Sequence, residues 1–87
     1  MKYTVLWAGE AEQRLAALWN KATNRQAITT AADAIDKQLN LDPETVGESR
    51  PDGTRILLVP PLGILFTVTE LDRIVSVLTV WLYKKRT

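Results

Sequence analysis

Apolar and polar residues alternate in the opening stretch KYTVLW (residues 2–7), with Tyr3, Val5 and Trp7 on one side and Thr4 and Leu6 on the other. A period of two is the mark of a strand whose faces meet different surroundings. Ala8-Gly9 interrupts it and the period lengthens, so that Ala11, Leu15, Leu18, Trp19 and Ala22 share one face of a helix. Glu10 and Glu12 suit the positive end of that helix. The run TNRQ at 23–26 predicts the start of a second helix, with Thr23 as the cap and Gln26 reaching back to it. Ile28, Ala31, Ala32, Ile35 and Leu39 continue the apolar stripe as far as LNLDP, where Pro43 closes it. So short a connection folds the two helices back on each other as a hairpin.

Beyond Pro43 the period returns to two. ETVGESRPDG reads as a loop with turn chemistry at Pro51-Asp52-Gly53. TRILLV is a strand, PPLG a turn, ILFTVT a strand, ELDR a turn, and IVSVLTVWLY a longer strand. Three strands joined this closely form an antiparallel meander. The expectation is an α+β fold in the order β-α-α-β-β-β, with the helical hairpin packed on one face of a small, mainly antiparallel sheet. The other face is then open or covered by a partner. With no repeat, linker or low-complexity segment, residues 1–87 read as a single domain.

Composition removes most enzyme classes. With neither cysteine nor histidine, the chain has no disulfide framework, no Ser-His-Asp or Cys-His nucleophile, and no ordinary zinc ligand set. No metal and no cofactor are expected. Its glycines, at 9, 47, 53 and 63, are too scattered for a phosphate loop. The pairs Glu10/Glu12 and Asp33/Asp36 lie on the polar faces of the helices and read as solvated surface. No apolar run is long enough to span a membrane, and the N-terminal stretch lacks the pattern of a signal peptide, so a cytoplasmic location is expected.

Net charge is +1, which is too little for holding nucleic acid by bulk charge. Its distribution says more. Residues 1–43 carry five basic and five acidic side chains, whereas residues 44–87 carry six and five, with Lys84, Lys85 and Arg86 consecutive. Candidate chemistry therefore lies with basic groups of the second half: Arg50 and Arg55 around the Pro-Asp-Gly turn, Arg73 at the next turn but one, and the Tyr83-Lys84-Lys85-Arg86 tail. Arginine's planar fork suits phosphate and carboxylate alike. On the residues alone, Arg50 or Arg55 pairs with Glu48 or Asp52 to hold the loop, or meets a phosphate on a partner. Trp7, Trp19 and Trp81 read as core or interface anchors.

The stretches YTVLWAGEAEQRLAALW, AADAIDKQL and VGESRPDGTRILLVPPLGILFTVTELDRIVSVLTVW, in this order, resemble the RelE/ParE superfamily of toxins from bacterial type II toxin–antitoxin systems. The resemblance covers nearly the whole chain, and its most specific parts are the GESRPDGTR loop, the PPLGILF hairpin and the DRIVSVLTVW strand. It implies a toxin neutralised by a cognate antitoxin. RelE-like members cleave mRNA on the ribosome without a metal, acting as endoribonucleases, and ParE-like members inhibit DNA gyrase by binding it; an inert relative that keeps only antitoxin binding is a third outcome. It also implies catalytic roles for Arg55, in the position of a strand arginine, and for Arg50 before it, with Tyr83 as the C-terminal tyrosine. Arg73, Lys84, Lys85 and Arg86 would contact nucleic acid or another target. The chain departs from the RelE-like pattern at VWLYKKRT, where an arginine directly after the last strand is replaced by Tyr83 and the basic tail. A general base is not evident in the sequence. A homodimer is compatible with it.

Overall fold

The computed structural model describes residues 2–83. Strand β1 (Thr4–Trp7) leads through Ala8 into helix α1 (Gly9–Lys21), and residues 22–24 turn the chain into helix α2 (Arg25–Leu41). A short β2 (Glu48–Ser49) follows, then β3 (Arg55–Val59), β4 (Leu62–Thr69) and β5 (Ile74–Leu82). The sheet runs β1-β5-β4-β3-β2. β2 to β5 form the antiparallel meander, and β1 closes the other edge by pairing parallel to β5, Thr4 opposite Ile74 and Trp7 opposite Val77. The expected architecture holds. It gains one strand, β2, whose two polar residues carry no hydrophobic period to announce them.

The hairpin packs its apolar stripe on the sheet. Ala11, Ile28, Ala31, Ile35 and Leu39 from the helices meet Leu57, Leu62, Ile64, Phe66, Val75, Val77 and Val80 from the strands, all buried. On β5 the buried positions jump from Val77 to Val80, which breaks strict alternation. The pairing changes between Leu65–Thr79 and Phe66–Val77, leaving Leu78 as the extra residue of a bulge. The bulge resets the phase so that both halves of β5 direct valines inward. Among the described residues no element covers the reverse face, which exposes Leu6 and Leu58.

The helix junction differs from expectation in one detail. The cap of α2 is Asn24, whose side-chain oxygen accepts from the Ala27 N–H at 3.1 Å, and not Thr23. The helix begins at Arg25, so only Asn24 lies at the position whose side chain can reach the third helical amide. Gln26 donates forward to Thr30 Oγ1 at 3.2 Å and does not reach back to a capping residue. Arg25 closes the end of α1, donating from Nε to the Trp19 carbonyl at 3.2 Å and from Nη2 to the Asn20 carbonyl at 3.3 Å. Its guanidinium also lies 4.6 Å from the centre of the Trp19 ring, so one side chain locks the hairpin by hydrogen bonding and cation–π stacking.

Candidate functional site

The loop between β2 and β3 is built on its own turn. The Arg50 N–H donates to the Thr54 carbonyl at 2.8 Å, and the Gly53 N–H donates back to the Arg50 carbonyl at 3.1 Å. Gly53 takes φ of +88°, a left-handed conformation suited to glycine. Asp52 accepts from both the Thr54 N–H at 3.0 Å and the Thr54 hydroxyl at 2.6 Å. These bonds, with smaller help from the charge of Arg50, hold its carboxyl below the usual carboxylate range. Asp52 is thus occupied in shaping the turn, and Arg50 stands out from it, exposed.

Arg55 opens β3 opposite Phe66, on the side of the sheet that the helices cover. Its Nε donates to the Val46 carbonyl at 3.1 Å and its Nη2 to the Gly47 carbonyl at 3.4 Å. The guanidinium therefore ties the segment leaving α2 to the start of β3. Neither of the two carboxylates expected as partners, Glu48 or Asp52, is what it holds. Gly47 makes the tie feasible: its φ is +74°, and a Cβ there would run into the Ile56 carbonyl oxygen. Arg50 and Arg55 together with Glu44, Ser49, Gly53, Thr54 and Val68 line a hollow of about 210 Å³.

Glu44 is the ionisable member of this hollow that the sequence did not single out. A hydrogen bond to Glu70, and then the negative charge of Glu70, push its carboxyl above the ordinary 4.5, against the smaller opposing pull of Arg55. Glu70 in turn accepts from the Tyr3 hydroxyl, at 2.9 Å to one oxygen and 3.0 Å to the other. That bond is the main cause raising the phenol above its ordinary 10.0. Arg73, at φ of +52° in the β4–β5 turn, places its guanidinium 5.5 Å from the centre of the Tyr3 ring. One end of the sheet thus carries a continuous arc from Arg50 and Arg55 through Glu44 and Glu70 to Tyr3 and Arg73. Tyr3 and Glu70 are 67 residues apart in sequence, and only the parallel pairing of β1 with β5 joins them.

Tyr83 is not part of that arc. It follows β5 at the other end of the sheet, its N–H donating to the Pro61 carbonyl at 2.7 Å beside the Leu62–Leu82 pair. Phe66, the partner of Arg55, lies four positions along β4 from Leu62, which is about 13 Å along a strand. The structure brings Arg50 and Arg55 together, adds Arg73 at the same end, and leaves Tyr83 apart. Lys84, Lys85 and Arg86 lie outside the described residues. Among the described residues no group of three or more acidic side chains is placed to hold a metal ion, and no helix is long and apolar enough to cross a membrane.

No family model and no curated protein matches the sequence. Solved structures do match the fold. The toxin–antitoxin complex RelBE2 of Mycobacterium tuberculosis contains a chain superposing with a TM-score of 0.80 at 19% identity, over 98% of this chain and 95% of that one. A chain of the chromosomal ParDE system of P. aeruginosa gives 0.67 at 17% identity, over 95% and 98%. A chain of the intact E. coli RelBE toxin–antitoxin complex gives 0.67 at 12% identity, over 97% and 99%. With two helices against a five-stranded mixed sheet, this chain has a RelE/ParE-like fold.

Proposed function

We propose that the chain is the toxin of a type II toxin–antitoxin pair, neutralised by a cognate antitoxin, and that it arrests growth by metal-independent cleavage of mRNA at the ribosome. The observation that supports this reading is the hollow in which Arg50, Arg55 and Glu44 converge, with the Glu44 carboxyl raised. A chain without histidine needs some other group to exchange a proton. In this role the Glu44 carboxylate takes the proton of a ribose 2′-hydroxyl as its oxygen attacks the neighbouring phosphorus. The bond from phosphorus to the 5′-oxygen breaks, and that oxygen is protonated from water. Arg50 stabilises the charge that grows on the phosphoryl oxygens. Arg55, with two of its N–H groups given to backbone carbonyls, holds the wall of the hollow and adds its positive charge.

The commitment of Arg55 to carbonyls and the distance of Tyr83 support a second reading, a ParE-like toxin that binds DNA gyrase without catalysis. Inducing the chain alone in bacteria while following amino-acid and thymidine incorporation separates the two. Loss of protein synthesis first, together with cleaved mRNA, is expected from the ribonuclease; loss of DNA synthesis first with intact mRNA would replace it with the gyrase reading. If neither falters, the toxin assignment itself fails.

A further inference from the structure

One edge of β1 lies against β5, and the other has no strand beside it among the described residues. The Thr4 N–H donates to the Arg73 carbonyl at 2.8 Å and the Ala8 N–H to the Val77 carbonyl at 2.9 Å. Backbone groups alternate in direction along a strand, so those of Val5 and Trp7 turn away from β5. Those of Tyr3 turn the same way, and there α2 meets them. The Tyr3 N–H donates to the Asn40 carbonyl at 2.8 Å, and Asn40 Nδ2 donates to the Tyr3 carbonyl at 2.6 Å. Asn40 thus does for Tyr3 what a residue of a neighbouring strand would do. Nothing among the described residues does the same for Val5 and Trp7. Beside them lies a hollow of about 590 Å³, bordered by α2.

Sheets usually blunt such an edge with charge, proline, a bulge or a covering segment. At the opposite edge, β2 is only two polar residues long. β1 reads Thr-Val-Leu-Trp, with neither charge nor proline, and Leu6 is half exposed on the face away from the helices. The edge is complementary to a copy of itself. In an antiparallel pair two facing residues exchange both their hydrogen bonds, and the next pair along faces without bonding. When Val5 pairs with Trp7 of a second copy, symmetry pairs Trp7 with Val5 of that copy. Leu6 then faces Leu6 on the two-fold axis, apolar surface against apolar surface. In this register Gly9 of one copy comes level with Tyr3 of the other, so β1 gives way to α1 where Asn40 already occupies the edge. The side chains of α2 that border the hollow, Asp36 and Lys37, are of opposite charge, and the two-fold sets them in reciprocal order.

We infer that a second copy of this chain pairs antiparallel on the free edge of β1, Val5 against Trp7 in both directions, joining the two sheets into one across Leu6. The inference does not depend on what the arginine hollow meets, because β2 and β3, which carry that hollow, lie at the other side of the sheet.

A chain without cysteine lets the register be tested by cross-linking. Facing residues of a non-bonded antiparallel pair have Cα atoms about 4.5 Å apart, within the span of a disulfide. Oxidation of Leu6→Cys is expected to give a covalent dimer in high yield. Thr4→Cys, two residues from the axis on the same exposed face, sets its thiols about 13 Å apart along the strands and is expected to give little. Sedimentation velocity of the unaltered chain, from micromolar to millimolar, is expected to show a monomer that doubles in mass. Leu6→Lys is expected to weaken association about tenfold by setting like charges opposite each other, and mixing it with Leu6→Glu to restore it. Should Leu6→Lys not fold, the cysteine pair decides. A chain that stays monomeric throughout overturns the inference. So does equal cross-linking of Leu6→Cys and Thr4→Cys, or a dimer that a folded Leu6→Lys leaves unchanged, since another surface then holds it. Slow hydrogen exchange at Val5 and Trp7 in the monomer overturns it too, because the edge is then closed within one copy.

Discussion

Arg55 donates from Nε to the Val46 carbonyl at 3.1 Å, joining the first residue of β3 to the segment that follows α2. An arginine to which the family resemblance assigns a catalytic role is here a structural clamp. Arg55→Ala removes two charge-assisted hydrogen bonds from a partly exposed position and is expected to cost about 1–2 kcal/mol. Arg55→Lys recovers little of this, because an ammonium lacks the fork that spans two carbonyls. Arg50→Ala, at an exposed turn position, should stay within about 0.5 kcal/mol of the parent. Urea unfolding of the three variants checks the ranking, and equal stability of Arg50→Ala and Arg55→Ala would contradict the clamp.

Gly63 lies opposite Trp81 in the β4–β5 pair, and a Cβ at this glycine would come within 2.6 Å of the indole. The ring rests directly on the backbone of β4, which is why no side chain fits there. Gly63→Ala is expected to displace the ring and to destabilise the fold by about 1–3 kcal/mol. Near-ultraviolet circular dichroism and tryptophan emission should change with it. If they do not, with stability preserved, Trp81 does not lie on Gly63 in solution.

Two carboxyls near the hollow titrate with opposite consequences. The Asp52 carboxyl is lowered in the folded chain, so its stabilising contribution is present above its ordinary 3.8 and is lost as pH falls through the folded value. The Glu44 carboxyl is raised, so its contribution is present below its ordinary 4.5 and is lost as pH rises through the folded value. At neutral pH Glu44 therefore opposes folding. Glu44→Gln is expected to raise the unfolding midpoint at pH 7 relative to the parent, the gain shrinking on acidification. Asp52→Ala is expected to lower it at pH 7, the loss shrinking below about pH 4. Thermal unfolding of both variants from acidic to neutral pH reads the two signs directly; a midpoint for Glu44→Gln below the parent at pH 7 would mean that the two glutamates do not repel each other.

Local periodicity carried most of the fold. Tyr3, Val5 and Trp7 declared β1, and the stripe from Ile28 to Leu39 declared α2, because burial imposes a fixed spacing on each element. Where the period failed, so did the reading: Glu48 and Ser49 pair as β2 through backbone bonds that polar side chains do not reveal. The capping position moved from Thr23 to Asn24 because both residues have suitable side chains and sequence leaves the first helical residue uncertain by one. The site was legible at its turn, where Arg50 and Arg55 are five residues apart. It was illegible where the sheet order decides proximity. Glu44 and Glu70 belong to loops 26 residues apart in sequence, and nothing in either loop marks the other. Tyr83 and Arg55 were grouped by resemblance, but the antiparallel course of β4 between them sends the two to opposite ends.

That separation makes a functional prediction. With the hollow as the working site, Arg50→Ala should abolish growth arrest while leaving the fold intact, because Arg50 is exposed and its charge gives Asp52 only minor help. Glu44→Gln should reduce cleavage by about a hundredfold, the usual loss on removing a general base. Tyr83→Phe, at a residue whose backbone lies about 13 Å along the sheet from the level of Arg55, should arrest growth as the parent does. Growth curves after induction, with mRNA integrity followed by primer extension, order the three. An inert Tyr83→Phe beside an active Arg50→Ala would move the working site to the far end of the sheet.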